Sequence, residues 1–370
     1  MIKVIHVLSD MKIGGAGSWL LNLLGAIDKE RFDIKVVLPQ GSLLIDKIRG
    51  LGFEVIPVDG MKDKSFDAAA VSIMLRIFRK EKPRIVHTHA SLSARLAARM
   101  AGLKIVNTKH CIDSRKTGVK KLAGACLNNL LCDGIIAVSA AVKQNVADNG
   151  MQEGKISVIY GGISPVRELG PEEKSRVRQK WGIGAEDIVV GMAARLAGVK
   201  GHKHFLAAAE IISRDKGNVK FLIAGTGPEE QELKELVKRQ GLTEQVIFTG
   251  FIENIFEIFN IIDINVISSL SEALCLSLIE GMCVGKPSVG TNTGGIPEVV
   301  KDGYNGYLVP VGDSVMLADA ILKLVRDPEL RKSMGDKGKE LVVGHFTADA
   351  MARGIEELYE SILKIPGEVK

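Results

Sequence analysis

The chain has 370 residues, 46% of them hydrophobic, 25% charged and only 5% aromatic, the composition of a soluble globular protein with an aliphatic core and room for two domains. Five cysteines without a C-x-x-C pair exclude a disulfide framework and a cysteine zinc site and suit a reducing cytosol; no apolar run reaches the length of a membrane span. The net charge of +5 is uneven: residues 1–165 carry 24 Lys and Arg against 14 Asp and Glu, and residues 166–370 carry 25 against 30.

From the N-terminus, Met1–Ser9 is a short strand running into a glycine turn, without the cleavage site of a signal peptide. Strands are expected at Lys3–Leu8, Asp33–Pro39, Glu54–Val58, Arg84–Thr88, Lys104–Thr108, Gly134–Val138 and Ile156–Tyr160. Periodic apolar segments at Trp19–Ile27, Ala68–Phe78, Leu92–Met100 and Leu122–Leu131 alternate with them as helices. The alternation breaks over Gly161–Gly184, which holds Pro165 and Pro171 and one short helix near Glu172–Trp181. It restarts with strands at Ile188–Ala193, Val219–Ala224, Gln245–Thr249, Asp263–Ile267, Pro287–Gly290 and Gly306–Val309. The intervening helices are expected at His202–Arg214, Glu229–Gln240, Leu276–Val284, Val315–Arg326 and Pro328–Val343. The fold class is therefore α/β, with two Rossmann-like doubly wound parallel sheets facing a cleft. The expected domains are 1–165, 166–345, and a terminal segment 346–370 whose helix, Ala348–Leu363, packs back on the first domain.

Several clusters lie where strands end and helices begin. Lys12-Ile-Gly-Gly-Ala-Gly-Ser18 lets a phosphate or sugar approach backbone at Gly14 and Gly15. His87 and His89 share one face of the fourth strand by its period of two, and His110 ends the next; no set of three or four convergent metal ligands is assured. Arg195 and Lys200 follow the first strand of the second domain and can neutralise a diphosphate. Gly225 and Gly227 form a second strand-end turn that could meet a nucleoside. Glu272 precedes an apolar helix and Glu280 lies within it, so a helix N-terminus is flanked by two carboxylates suited to hydroxyls. The basic run from Arg76 to Lys121 is either a solvated face or a surface drawn to an anionic membrane or acidic acceptor; without interleaved aromatics it does not read as a nucleic-acid site.

Taken in order, Gly14-Gly15, His87-Thr-His89, Thr108-Lys-His110, Arg195 to Lys200-Gly-His202, Gly225-Thr-Gly-Pro228, Glu272 with Glu280, and Gly294-Gly-Ile-Pro-Glu298 resemble glycosyltransferase family 4, retaining enzymes of the GT-B fold. The resemblance spans nearly the whole chain. It implies transfer of a hexosyl group from a nucleotide diphosphate sugar, UDP- or GDP-linked, to an acceptor hydroxyl on a lipid-linked, cell-envelope or small-molecule acceptor, as in polysaccharide biosynthesis. It implies no metal, which matches the missing Asp-x-Asp pair, and no cofactor. Arg195 and Lys200 would hold the diphosphate, Glu272 the donor-sugar hydroxyls and Glu280 the ribose. Leu274 and the amides near Cys275 and Leu276, with Gly14, Gly15, Gly225 and Gly227, would line the donor, with His110 by the reacting sugar and His87 and His89 on the acceptor side. A cytoplasmic location follows, with the inner face of the cell membrane as a candidate peripheral surface.

Two departures stand out. The family often carries glycines after the first Glu, where this chain has Ala273 and Cys275, and Cys275 would narrow the sugar pocket. Gly161 and Ser164 replace a common Asn and Asp. A sugar-nucleotide epimerase of the same architecture, or a non-catalytic sugar-nucleotide-binding protein, would carry many of the same residues. A nicotinamide oxidoreductase would need G-x-G-x-x-G and an acid after strand two, and the chain has neither.

Overall fold

The computed structural model describes residues 1–61, 65–115, 117–164, 166–215 and 217–364, excepting the side chain of Lys120. The chain divides into two compact units, 1–164 with 346–370, and 165–345. Pro165, in the expected linker, Lys116, in the basic run, and the terminal residues 365–370 lie outside the described residues.

The first unit runs β1 (Ile2–Val7), α1 (Gly15–Ala26), β2 (Phe32–Pro39), α2 (Leu44–Gly50), β3 (Glu54–Val58), α3 (Ala68–Glu81), β4 (Ile85–Thr88), α4 (Leu92–Met100), β5 (Lys104–Lys109), α5 (Gly118–Leu131), β6 (Gly134–Ala137), α6 (Ala140–Asp148) and β7 (Ile156–Val158). Its strands form one parallel sheet in the order β3-β2-β1-β4-β5-β6-β7. The short apolar runs are strands because both faces are covered: every residue of β4 and β6 is buried. Ile5, Val7, Met74, Phe78, Val86, Ala94, Ala97 and Ile105 pack one core cluster, each large side chain worth about 1.5–3 kcal/mol on burial. Asp67, Ser91 and Ser139 cap α3, α4 and α6 by accepting a first-turn N–H. β4 stops at Thr88, so His89 lies just past the strand rather than on it.

The second unit runs α7 (Pro171–Lys180), β8 (Ile188–Ala193), α8 (His202–Asp215), β9 (Val219–Ala224), α9 (Glu230–Arg239), β10 (Val246–Gly250), α10 (Phe256–Ile261), β11 (Ile264–Ile267), α11 (Leu276–Cys283), β12 (Ser288–Thr291), α12 (Ile296–Val299), β13 (Gly306–Val309), α13 (Ser314–Arg326) and α14 (Pro328–His345). The sheet order is β10-β9-β8-β11-β12-β13, again with parallel pairings. In each unit the order reverses once, between β1 and β4 and between β8 and β11, and these are the points where open parallel sheets take ligands.

The last helix, α15 (Ala348–Leu363), belongs to the first unit. It packs on α1. Glu356 accepts the Asp28 N–H at 2.9 Å and meets Arg31 at 3.5 Å. Tyr359 is fully buried beside Phe32. α2, α6, α10 and α12 were not expected from the sequence; each is nine residues or fewer and buries too few positions to show a clear helical period.

Candidate active site

In the second unit, the loops leaving β8 and β11 run side by side at the sheet's reversal point. Leu270 N–H donates to the Val199 carbonyl at 2.8 Å, and the Ser268 hydroxyl donates to the Gly201 carbonyl at 2.9 Å. These bonds bring Lys200 and Glu272 together: Nζ is 2.5 Å from Oε2, with the side chains 25% and 12% exposed. Burial alone would lower the Lys200 pKa, but the charge of the Glu272 carboxylate and its hydrogen bond outweigh it and the net shift is upward. Arg195 is exposed, and its guanidinium has no partner among the described residues. The site therefore offers one free cation beside one paired with an acid.

The Glu272 loop enters α11 through Cys275, which holds a left-handed conformation at φ 73° and caps the helix without a side-chain bond to its amides. Leu278 N–H donates to the Cys275 carbonyl at 3.2 Å, which leaves the amides of Leu276 and Ser277 to form an anion-binding end. Leu274 and Cys275 are buried behind it. Burial, reinforced by the Glu272 charge, pushes the Cys275 thiol up to about 12, so it is a neutral filler with Sγ 3.3 Å from Ser277 Oγ and not a nucleophile. Glu280 is four residues beyond Leu276 and shares its helix face. Glu280 is partly buried, its carboxyl has no hydrogen-bond partner among the described residues, and burial pushes its pKa up to about 7.

Gly225 and Gly227 are required for a reason other than ligand approach. A Cβ at either would strike the carbonyl oxygens of Ala194 and Leu196, so the turn is pressed against the loop that carries Arg195. Gly14 and Gly15 differ: both are exposed, and a Cβ there would meet nothing. They open the N-terminal end of α1, while Gly17 is packed on Leu44.

The first unit brings its histidines together as a connected chain. His6 and His87 are register partners on β1 and β4. Thr108 Oγ1 is 2.6 Å from His87 Nε2, and His87 Nδ1 is 2.6 Å from the Tyr359 hydroxyl. That hydroxyl is 3.2 Å from His6 Nε2, His6 Nδ1 is 3.1 Å from His89 Nε2, and His89 Nδ1 is 2.9 Å from His110 Nε2. Trp19 sets its ring edge-on against His87, His89 and His110. Burial holds all four imidazoles far below their usual range, at about 3 for His6 and His110, so all are neutral near pH 7.

His87 and His89, expected on the acceptor side, are buried with both nitrogens of each engaged, so neither meets an acceptor directly; of the three expected histidines only His110 is partly exposed. His6, His87 and His89 have ring nitrogens within 4.8 Å of one another, as a metal site would need, but every one of those nitrogens already has a hydrogen-bond partner. His6, Trp19 and Tyr359 do not stand out in the sequence. His6 carries a faint signal, a polar residue inside an apolar strand, whereas nothing local marks Tyr359, which is 272 residues from His87 and 353 from His6 along the chain.

Residues 13–167 match the family described as Glycosyltransferase Family 4, and residues 173–341 match Glycosyl transferases group 1. The chain is 29% identical over 312 residues to the N-acetyl-alpha-D-glucosaminyl L-malate synthase of Bacillus anthracis, covering 81% of this chain and 80% of that one. It is 26% identical to the UDP-Gal:alpha-D-GlcNAc-diphosphoundecaprenol alpha-1,3-galactosyltransferase of Escherichia coli, over 97% and 96% of the two chains. Its fold is similar to that of Anabaena HepE in a complex with UDP and glucose, with a TM-score of 0.88 at 22% identity over 98% of this chain and 100% of that one.

Proposed function

The chain belongs to glycosyltransferase family 4 and has the GT-B fold, and on that footing we propose that it is a retaining, metal-independent hexosyltransferase using a UDP- or GDP-linked sugar. The observation that carries this reading is the grouping of Arg195, the Lys200–Glu272 pair and the amide end of α11 at one reversal point of the second sheet. The departing nucleotide diphosphate gains charge as its bond to the sugar breaks, and one cation held in place, one free cation and a helix N-terminus stabilise that charge. Arg195 and Lys200 thereby supply what a divalent cation would otherwise bring. Glu272 accepts hydrogen bonds from sugar hydroxyls, and Glu280 from the ribose. The acceptor hydroxyl forms the new bond on the face the diphosphate leaves, and its proton passes to the departing phosphate oxygen. His110, Gly14 and Gly15 line the reacting groups in the first unit. The reaction needs no cofactor.

The acceptor we favour is lipid-linked or part of a cell-envelope glycan, met at the inner face of the cell membrane. The E. coli relative is named for a diphosphoundecaprenol acceptor. Helix α5 supports the surface: Val119, Leu122 and Leu130 are 81%, 72% and 62% exposed, and their spacing lines them along one stripe with the exposed Cys126. No described helix is long and apolar enough to cross a membrane.

Thermal unfolding with a panel of UDP- and GDP-sugars tests the donor, because a ligand that binds only the native state raises its stability. The expected result is a rise with one donor, and an α-linked product from an α-linked donor in the presence of EDTA. No rise with any nucleotide sugar would remove the reading, and an isomerised donor formed without acceptor would replace it with an epimerase.

A further inference from the structure

The chain Thr108–His87–Tyr359–His6–His89–His110 has five hydrogen bonds, and each needs one proton. The three inner imidazoles and the tyrosine, all neutral, each have one proton to place in one of their two bonds. Four protons fill four bonds, and the fifth must come from one end. Only two arrangements satisfy every bond: all protons point toward His110, with Thr108 as first donor, or all point away, with His110 Nε2–H as first donor.

The ends are unequal. In the second arrangement the buried Thr108 hydroxyl accepts from His87, and its own proton needs another acceptor. Among the described residues it has none, since its hydroxyl has no other hydrogen-bond partner. In the first arrangement that proton is used, and the one N–H left without a partner among the described residues, His110 Nδ1–H, lies at the partly exposed end, which costs less than an unpaired buried donor. The free atom at the outer end is His110 Nδ1, which has no partner among the described residues.

We propose that Thr108, His87, Tyr359, His6 and His89 are positioning residues that fix His110 as its Nδ1–H tautomer, so that it meets the substrate as a hydrogen-bond donor and not as a base. The second half rests on the reading that His110 faces the reacting groups. For Nδ1 to accept a proton, all five bonds would have to reverse, or the chain would have to take a positive charge where burial opposes it. Tyr359 holds the two halves together, so the C-terminal helix carries a residue that acts on the site without touching substrate.

The test is long-range proton–nitrogen NMR on the full-length protein with ¹⁵N-labelled histidine at pH 7.5. The expected signature is a protonated Nδ1 and an unprotonated Nε2 at His6, His87, His89 and His110. A protonated Nε2 at His110 overturns the proposal whatever His110 does in catalysis. Tyr359→Phe keeps the packing but removes the shared hydroxyl, and is expected to move the His6 and His110 shifts toward those of a tautomer mixture. It should also lower kcat about tenfold, with donor affinity unchanged. Unmoved shifts in a folded Tyr359→Phe protein would overturn the relay. In the kinetic arm, His110→Asn offers an N–H but cannot take a proton, and should retain at least tenfold more kcat than His110→Ala. Equal loss in both would overturn the donor role, and full activity in His110→Ala would instead remove His110 from the site while leaving the NMR result standing.

Discussion

Lys200 Nζ and Glu272 Oε2 lie 2.5 Å apart and join the loops that leave β8 and β11. The resemblance implies Lys200 on the diphosphate and Glu272 on the donor-sugar hydroxyls, and in the structure they hold each other. The pairing keeps Lys200 charged and in place in a half-buried site. A diphosphate then meets a cation already ordered, so less side-chain entropy is lost on binding.

Glu272→Ala is expected to lower kcat/KM for transfer by at least ~10²-fold, the loss typical of removing one fixed polar group from such a site. Circular dichroism and the unfolding cooperativity should stay those of the wild type. Turnover within twofold of wild type would take Glu272 out of the mechanism.

Burial pushes the Glu280 carboxyl up to about 7, from an ordinary 4.5. A raised acid pKa means the protonated form favours the fold, a contribution complete below pH 4.5 and lost as pH rises through about 7. The charged form, in contrast, is the better acceptor for two ribose hydroxyls. Donor affinity measured by calorimetry should therefore rise between pH 6 and 8, and Glu280→Gln should bind more weakly with that pH dependence gone. If Glu280→Ala binds donor normally and loses only turnover, the ribose assignment fails.

The histidines give the opposite sign. His6, His87, His89, His110 and His202 all have folded pKa values below 6.5. Their contribution to stability is complete above pH 6.5 and is lost as pH falls through 6.5 toward about 3. At pH 6 unfolding should take up roughly three protons, the histidine uptake less the one that Glu280 releases. Calorimetry in buffers of different ionisation enthalpy reads this number, and zero net uptake would contradict the buried neutral chain.

Ala90 follows His89 at φ 106°, a conformation that suits glycine. It is exposed, so no burial is lost on substitution. Ala90→Gly should stabilise the protein by about 1 kcal/mol in urea unfolding, through relief of backbone strain. A destabilised variant would mean that another contact compensates the strain.

The apolar stripe on α5, set in the basic run from Arg76 to Lys121, predicts binding to vesicles rich in phosphatidylglycerol that weakens as salt screens the basic residues. The double variant Leu122→Asp, Leu130→Asp should lose most of it while keeping transfer to a soluble acceptor. If the wild type fails to sediment with such vesicles even at low salt, the basic half of the chain is a solvated surface.

Much was legible before any coordinates. Alternating β-rich and helical periods fixed two parallel sheets, because a strand buried on both faces needs an unbroken apolar run. Glycines, cations and acids at strand ends marked where a ligand would sit, because backbone must open there. Local pattern also shows that Glu272 precedes a helix and Glu280 lies in it. Tertiary structure alone decided the partners. Lys200 meets Glu272 only because β8 and β11 are neighbours at the sheet's reversal, a pairing that spacing along the chain does not encode. Gly225 and Gly227 are demanded by loop packing as well, which only the Ala194 and Leu196 carbonyls reveal. Tyr359 reaches His87 and His6 because the chain returns to its first unit after completing the second. Sequence sets which residues are able to hydrogen-bond or carry charge, whereas long-range packing sets which of them share a proton.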